Sequence, residues 1–337
     1  MPRTTFCDAP AAAASTSRGP FAATRPFTRG SARKEAWFLV STFAVMAAFA
    51  TVAVLPLAWP LRLLGSLGTG LTMVRAFILF HDRHHGAAFT ESRIAKLVLD
   101  AYGLLLLTPP RLWRYTHNYH HAHTARTDGD QRGTYTLFTT EQWRKASKRE
   151  RFAYRAEHHP LTLLFGYVTV FLGTFGIWPV LRKPAASWDS LASLVVHAGV
   201  GTLAWVLGGP AVFLFAFLIP FFLAGAIGAF LFYVQHYFEE CSVPDDATWT
   251  HAGAALGASS HVAFGPVGSW FTGNIGLHHI HHLNPKIPFY RLPEALAAVP
   301  ALQTSKPIVL SPRAIARCLR LKLWDADSGR LVAYADA

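Results

Sequence analysis

The sequence predicts an all-α integral membrane protein: four transmembrane helices, interfacial helices, and a cytosolic cap that carries clustered histidines. Three observations predict it. Of 337 residues, 52% are hydrophobic and only 15% charged, against about 25% charged in a soluble domain. The apolar residues come in runs of about 20, the length that crosses ~30 Å of hydrocarbon as a helix. The basic residues are kept out of the longest apolar stretch, with no Lys or Arg between Pro184 and Pro285. A mean hydropathy of +0.26 fits the same class and excludes a largely disordered chain. Cys7, Cys241 and Cys318 are scattered, form no CxxC and exclude a disulfide scaffold.

Taken in order, residues 1–35 are rich in Ala, Ser, Thr, Pro and Arg and read as a disordered basic cytosolic tail; a transit peptide has the same composition. Residues 36–300 read as the membrane domain and 301–337 as a cytosolic extension. Ala36–Leu57 and Leu61–Phe80 are the first two crossings, with the turn at Pro56, Ala58 and Pro60. Lys34 puts the tail side in the cytoplasm, so the second crossing returns there at His81. Ala95–Thr108 is apolar but short and stops at Pro109-Pro110, which suits an interfacial or tucked helix. Arg111–Arg155 is too polar for lipid.

Three apolar runs follow, Leu161–Leu181, Leu191–Leu207 and Ala211–Val234. Pro160, Gly166, Gly173, Gly176 and Pro179 interrupt the first, and Arg182-Lys183 follows it. It therefore reads as re-entrant or interfacial, and only the other two cross, joined at Gly208-Gly209-Pro210. That topology gathers every histidine cluster on one side, which is part of the reason for choosing it. Pro312–Trp324 alternates basic and apolar residues and reads as a helix on an anionic membrane face or as a solvated basic helix. The net charge of +12 sits before, between and after the apolar runs, the pattern of a basic cytoplasmic face and not of a nucleic-acid site.

Of the 17 histidines, most fall in three clusters: His81-Asp82-Arg83-His84-His85, His117-Asn118-Tyr119-His120-His121-Ala122-His123, and His278-His279-Ile280-His281-His282. His236 stands just past the last crossing. Residues three and four apart share a helix face, so His81 with His85, His117 with His120 and His121, and His278 with His281 and His282 each point one way. Imidazole suits Fe, Zn, Cu and Ni. A single zinc uses three or four ligands, whereas eight histidines, nine with His236, match two higher-coordinate metals. His84, His123 and His279 lie off the spacing and are expected behind the ligands, bonding their outer nitrogens. Asp82, Asp128, Asp130, Glu239 and Glu240 are expected to accept from ligand N–H groups, and Asn274, four before His278, to hold a metal-bound water. A histidine-rich metal transporter would instead place its ligands inside the crossings.

These clusters resemble the three histidine boxes of the membrane fatty acid desaturases, HxxxH, HxxHH and HxxHH, in order, from about Arg75 to Ala297. Trp270-Phe271-Thr272-Gly273-Asn274-Ile275-Gly276-Leu277-His278-His279-Ile280-His281-His282-Leu283 is similar to the acyl-lipid, Δ12/ω6-like branch, as are Phe232-Tyr233-Val234-Gln235-His236 and Ile287-Pro288-Phe289-Tyr290-Arg291-Leu292. The resemblance implies two irons held by the box histidines and His236, O2 as co-substrate, and removal of two hydrogens from a membrane-lipid acyl chain. It also implies a separate ferredoxin or cytochrome b5 as electron donor, since no such domain is fused here. A hydroxylase or ketolase on a lipid or carotenoid would use the same oxidant. The first box departs from the branch pattern HDCGH: Arg83 and His84 stand at its two small middle positions.

Overall fold

The computed structural model describes residues 19–245 and 247–337; the first eighteen residues of the expected tail lie outside that set. The remainder of the tail is ordered against the body. Pro20–Thr24 is a helical turn, Arg25–Thr28 a 3-10 turn, and Ser31 caps the helix Ala32–Val54 through Lys34 N. Thr24 Oγ1 accepts from Asn284 Nδ2 at 2.9 Å, and Glu35 Oε2 accepts from Phe89 N at 2.7 Å. Composition suggested disorder here because few apolar residues mark this stretch; polar bonds to distant residues order it instead.

Among the described residues three helices are long and apolar enough to cross a membrane, Ala32–Val54, Trp59–His85 and Trp188–Val234, not the four expected. The two last runs form one 47-residue helical stretch because helical pairing continues past the predicted turn. It nevertheless folds back on itself. Gly209 has φ 75° and ψ −179° beside Pro210, and the rings of His197 and Phe221, twelve residues to either side, lie 4.8 Å apart. That backbone region is open essentially to glycine alone, and no atom lies within 4 Å of a Cβ built there. Gly209→Ala is thus expected to cost about 1–3 kcal/mol of stability through backbone strain alone, read as a lower unfolding midpoint in detergent.

Trp59–His85 is the central helix. It is 72% buried over its apolar length, against 11% for Ala32–Val54, whose outer face is exposed. Small residues permit the close approach: a Cβ on Gly65 would meet Ala53 N at 2.6 Å, and one on Gly68 would strike the Phe49 ring. Two arginines are buried along it. Arg62 donates to Ala53 O and lies over Phe215, at the end near Gly209. Arg75 donates to Thr42 Oγ1 and lies 4.3 Å from the Trp270 ring centre. His197, inside the third long stretch, bonds Leu105 O and Tyr167 OH.

Between the long helices run Arg93–Leu105, Pro110–Ala122 and the short segments Pro160–Leu164, Tyr167–Ile177 and Trp178–Arg182. Tyr167–Ile177 is wound as a π-helix. The chain is not wholly α. His261–Ala263 pairs in parallel with Pro307–Val309, and Leu323–Asp325 pairs antiparallel with Arg330–Val332. Three-residue strands are too short to print a period-two pattern. They bind residues 301–337 into the body: Pro312–Arg320 is a helix, and Lys322 is buried, donating to His158 O and Tyr233 OH.

Candidate metal centre

Each cluster occupies the end of a helix. His81 and His85 close Trp59–His85, which stops at Gly86 with φ 65°, the left-handed cap that glycine favours. His117, His120 and His121 lie in the last turns of Pro110–Ala122. That helix begins at a proline, and Asp189 Oδ2 accepts from Arg111 N and Leu112 N at 3.1 Å each, a carboxylate at the positive end of the helix dipole. His278, His281 and His282 occupy His278–Leu283, a helix of one and a half turns. His236 follows two residues after Val234, where Ile219–Val234 ends.

These elements bring the nine expected residues into two groups. His81, His85, His117, His121 and His281 form one, and His120, His236, His278 and His282 the other, with ligand atoms in each group all within 4.8 Å of one another. The Nε2 atoms face inward: His281 to His121 3.1 Å, His121 to His117 3.2 Å, His120 to His236 3.1 Å, and His282 to His278 3.0 Å. The groups adjoin, since the His121 and His282 rings stack at 4.1 Å. Burial holds His117, His120, His121, His278, His281 and His282 well below the usual histidine pKa and His236 down to about 4. Neutral imidazoles turn lone pairs inward, and two facing Nε2 atoms share at most one N–H. This donor set fits one imidazole-binding ion per group.

The outer nitrogens of His81, His236 and His282 have partners, whereas the buried Nδ1 atoms of His117, His121 and His278 have none among the described residues. Asp82 Oδ1 accepts from His81 Nδ1 at 3.1 Å, and its Oδ2 accepts from Phe289 N at 2.6 Å. His236 Nδ1 donates to Ala258 O, and Thr124 Oγ1 accepts from His282 Nδ1 while donating to His120 O. Trp113 stacks on His117, centroids 4.3 Å apart at 17°. Thr124, Ala258 and Trp113 carry no sequence signal: a carbonyl is the same at every residue, and a threonine beside a histidine box is unremarkable.

Four expected supporting residues serve other partners. His84 turns to Asp100, its Nε2 3.4 Å from Oδ1, because it lies off the face that His81 and His85 share. His123 bonds Tyr119 O and stacks on the Tyr119 ring at 3.9 Å. His279 bonds Leu302 O, facing the C-terminal segment. Asn274 is not helical, with φ 57°, so the four-residue spacing to His278 does not apply; its Nδ2 donates to Phe289 O. The surface acids are likewise elsewhere. Asp128 meets Gln142, Asp130 meets Arg132, Glu239 meets Arg317, and Glu240 is exposed.

An apolar cleft of about 610 Å³ lies beside the first group, lined by Trp113, Phe171, Phe175, Ala229 and Phe232 among others and by no histidine. Trp113 and Phe232 both pack on His117. The volume lies in the ~300–1,000 Å³ range of sites that enclose small ligands. A small pocket of about 40 Å³ meets the second group at His120 and His236, with Tyr119, Arg126 and Arg132 in its wall.

His158, outside the groups, is buried with a pKa pushed down to about 3 by desolvation. Its Nδ1 donates to Tyr154 O, and its Nε2 lies 2.9 Å from Tyr237 OH. Above pH 6.5 it is neutral folded and unfolded and adds no pH dependence. Below that, only the unfolded chain takes the proton, so stability falls with pH until about 3. By pH 5 this one residue is expected to cost on the order of 2 kcal/mol, and His158→Gln should flatten the stability-versus-pH slope by about one proton between pH 6 and 4.

The sequence profile described as fatty acid desaturase matches residues 57–310. A fatty acid desaturase of Bacillus subtilis is 32% identical over 265 residues, 78% of this chain and 74% of that protein. The sn-1 oleoyl-lipid 12-desaturase of Picosynechococcus sp. is 27% identical, over 79% of this chain and 76% of its own length. The chloroplastic sn-2 acyl-lipid omega-3 desaturase (ferredoxin) of Arabidopsis thaliana is 25% identical, over 82% and 65%.

Proposed function

The chain belongs to the fatty acid desaturase family, and from that premise we propose that it is an O2-dependent acyl-lipid desaturase whose nine histidines hold two irons beside an acyl-chain cleft. The family makes it an oxidoreductase and, with its long apolar helices, a membrane protein. The observation that carries the finer reading is the meeting of two unlike environments at His117. On one side lies a buried, all-imidazole donor set; on the other, a cleft whose wall at that point is Trp113 and Phe232.

An unactivated methylene has no acidic proton and no leaving group, so side-chain acid–base chemistry has no purchase on it. Iron bound by the histidines supplies the dioxygen-dependent redox chemistry that no side chain has. The residues of the chain do the rest. Burial keeps His117, His120, His121, His236, His278, His281 and His282 unprotonated, and Asp82, the Ala258 carbonyl and Thr124 fix the rings of His81, His236 and His282. Trp113 and Phe232 form the end of the cleft beside His117, where they guide an apolar chain toward the first group and keep bulk water out. Overall, –CH2–CH2–, O2, two electrons and two protons give –CH=CH– and two waters. In the membrane, the two arms meeting at Gly209 each cross, giving four crossings with the histidines toward the cytoplasm. A ferredoxin or cytochrome b5-type protein brings the electrons.

The test is expression in a bacterial host with a compatible reductant, followed by mass-spectrometric fatty acid profiling. The expected result is a new double bond in lipid-bound acyl chains. A new oxygen on the chain with no new double bond would show a hydroxylase, and an unchanged profile with iron loaded would remove the reading.

A further inference from the structure

We propose that the basic face built by the Thr140–Lys145 and Lys148–Glu157 helices docks an acidic one-electron carrier protein, and that a continuous line of packed rings joins that face to His236. The inference rests on the function proposed above. That reaction takes two electrons from outside per double bond, and a carrier of one electron must meet the protein twice. The first group is buried and in the second only His236 is partly exposed, so each electron crosses protein by tunnelling. Tunnelling falls steeply across open gaps and less through covalent bonds, hydrogen bonds and stacked rings.

One such route runs from the second group outward. Tyr237 follows His236 in the chain, and its hydroxyl lies 2.9 Å from His158 Nε2. Tyr154 stacks on His158 at 4.0 Å and sits 5.7 Å from Trp143, which stacks on Tyr334 at 4.9 Å. The guanidinium groups of Arg151 and Arg155 lie over Trp143 at 5.3 and 5.2 Å. The rings act as a packed medium; none is itself oxidised or reduced.

The outer end of this route is strongly basic. Arg144, Lys145, Lys148, Arg149 and Arg155 are exposed around it. The acids among them have partners: Glu141 holds Lys145, Glu150 caps the helix at Ser147, and Glu157 turns to Thr136. Charge complementarity therefore selects an acidic partner and speeds its encounter. An anionic membrane is the other candidate surface, but a helix lying on lipid needs an apolar face. Lys148–Glu157 exposes one large apolar side chain, Phe152, and turns Tyr154 inward.

The experiment uses the full-length iron-loaded protein in neutral-lipid nanodiscs and a plant-type [2Fe–2S] ferredoxin as the acidic probe. R144E/K148E/R149E is expected to weaken the ferredoxin Kd about tenfold or more at low salt and to flatten its salt dependence. Glu at 148 and 149 suits the helix N-terminus, so the fold is retained. Arg313→Glu, a charge reversal on Pro312–Arg320, should leave the Kd within about twofold. Tyr237→Phe should keep the Kd but slow single-turnover oxidation of reduced ferredoxin. An unchanged Kd in the triple variant overturns the proposal, and a loss of binding to anionic vesicles in its place assigns the face to the membrane. Reduced methyl viologen separates this from the function itself: with that small reductant the triple variant and wild type should desaturate equally. A wild-type protein inactive with it removes the functional reading; an unchanged ferredoxin Kd removes only the docking face.

Discussion

His281→Ala is expected to leave a folded protein with no detectable product and with iron only in the second group. His278 and His282 belong to that second group, so His281 alone carries the third cluster into the first. Its Nε2 lies 3.1 Å from His121 Nε2, and its ring sits 4.5 Å from that of His81 and 4.9 Å from that of His85. Removing it takes away one of five inward-facing donors and opens a hole in a buried polar pocket. Even partners that only orient a ligand cost 10–100-fold when lost, so losing a ligand should cost product formation about a hundredfold or more. The control is His279→Ala. His279 is its near neighbour in the same box, yet it faces Leu302 O. That variant should keep its iron and its product and lose about 1 kcal/mol of stability with the hydrogen bond. Metal analysis and lipid profiling of the two proteins decide it. Two irons per chain in purified His281→Ala would break the assignment of the first group.

The contrast between His279 and His281 marks how far the sequence could be read. The HxxxH and HxxHH spacings picked eight histidines, and these converge together with His236, which was marked by its place after the last crossing. The spacings told nothing of what the off-face histidines meet, because that depends on the neighbouring element: Asp100 for His84, the Tyr119 ring for His123, residue 302 for His279. Asp82 was legible because it is adjacent in sequence to the histidine it serves. Asn274 was misread, because a helical spacing was applied to a residue with positive φ. The Gly208-Gly209-Pro210 turn was visible in composition, but not that helical pairing would run through it. The ordering of residues 19–35 was invisible, since Thr24 and Glu35 are held by partners such as Asn284 and Phe89, far away in the chain.

Asp82 carries the second large effect, because it joins the His81 ring to the segment that leaves the third cluster. One oxygen accepts from His81 Nδ1 and fixes which nitrogen of that ring faces inward. The other accepts from Phe289 N, on the segment that leaves the third cluster. Asn274 holds the same residue from its other side, through Phe289 O. A carboxylate accepts at both oxygens, whereas an amide accepts at one and donates at the other. Asp82→Asn must therefore set an NH2 group against either the His81 N–H or the Phe289 N–H. The variant keeps the volume of the side chain and loses one of two buried bonds, whichever way the amide turns. Iron affinity is expected to fall 10–100-fold, with product falling in proportion, measured by iron titration of the metal-free protein and by lipid profiling. Asn274→Ala breaks only the Phe289 carbonyl bond and leaves His81 held, so it should cost about 1 kcal/mol of stability with iron affinity unchanged. If Asn274→Ala lost iron as severely as Asp82→Asn, the Phe289 segment and not the ring of His81 would be the part that holds the metal site in shape.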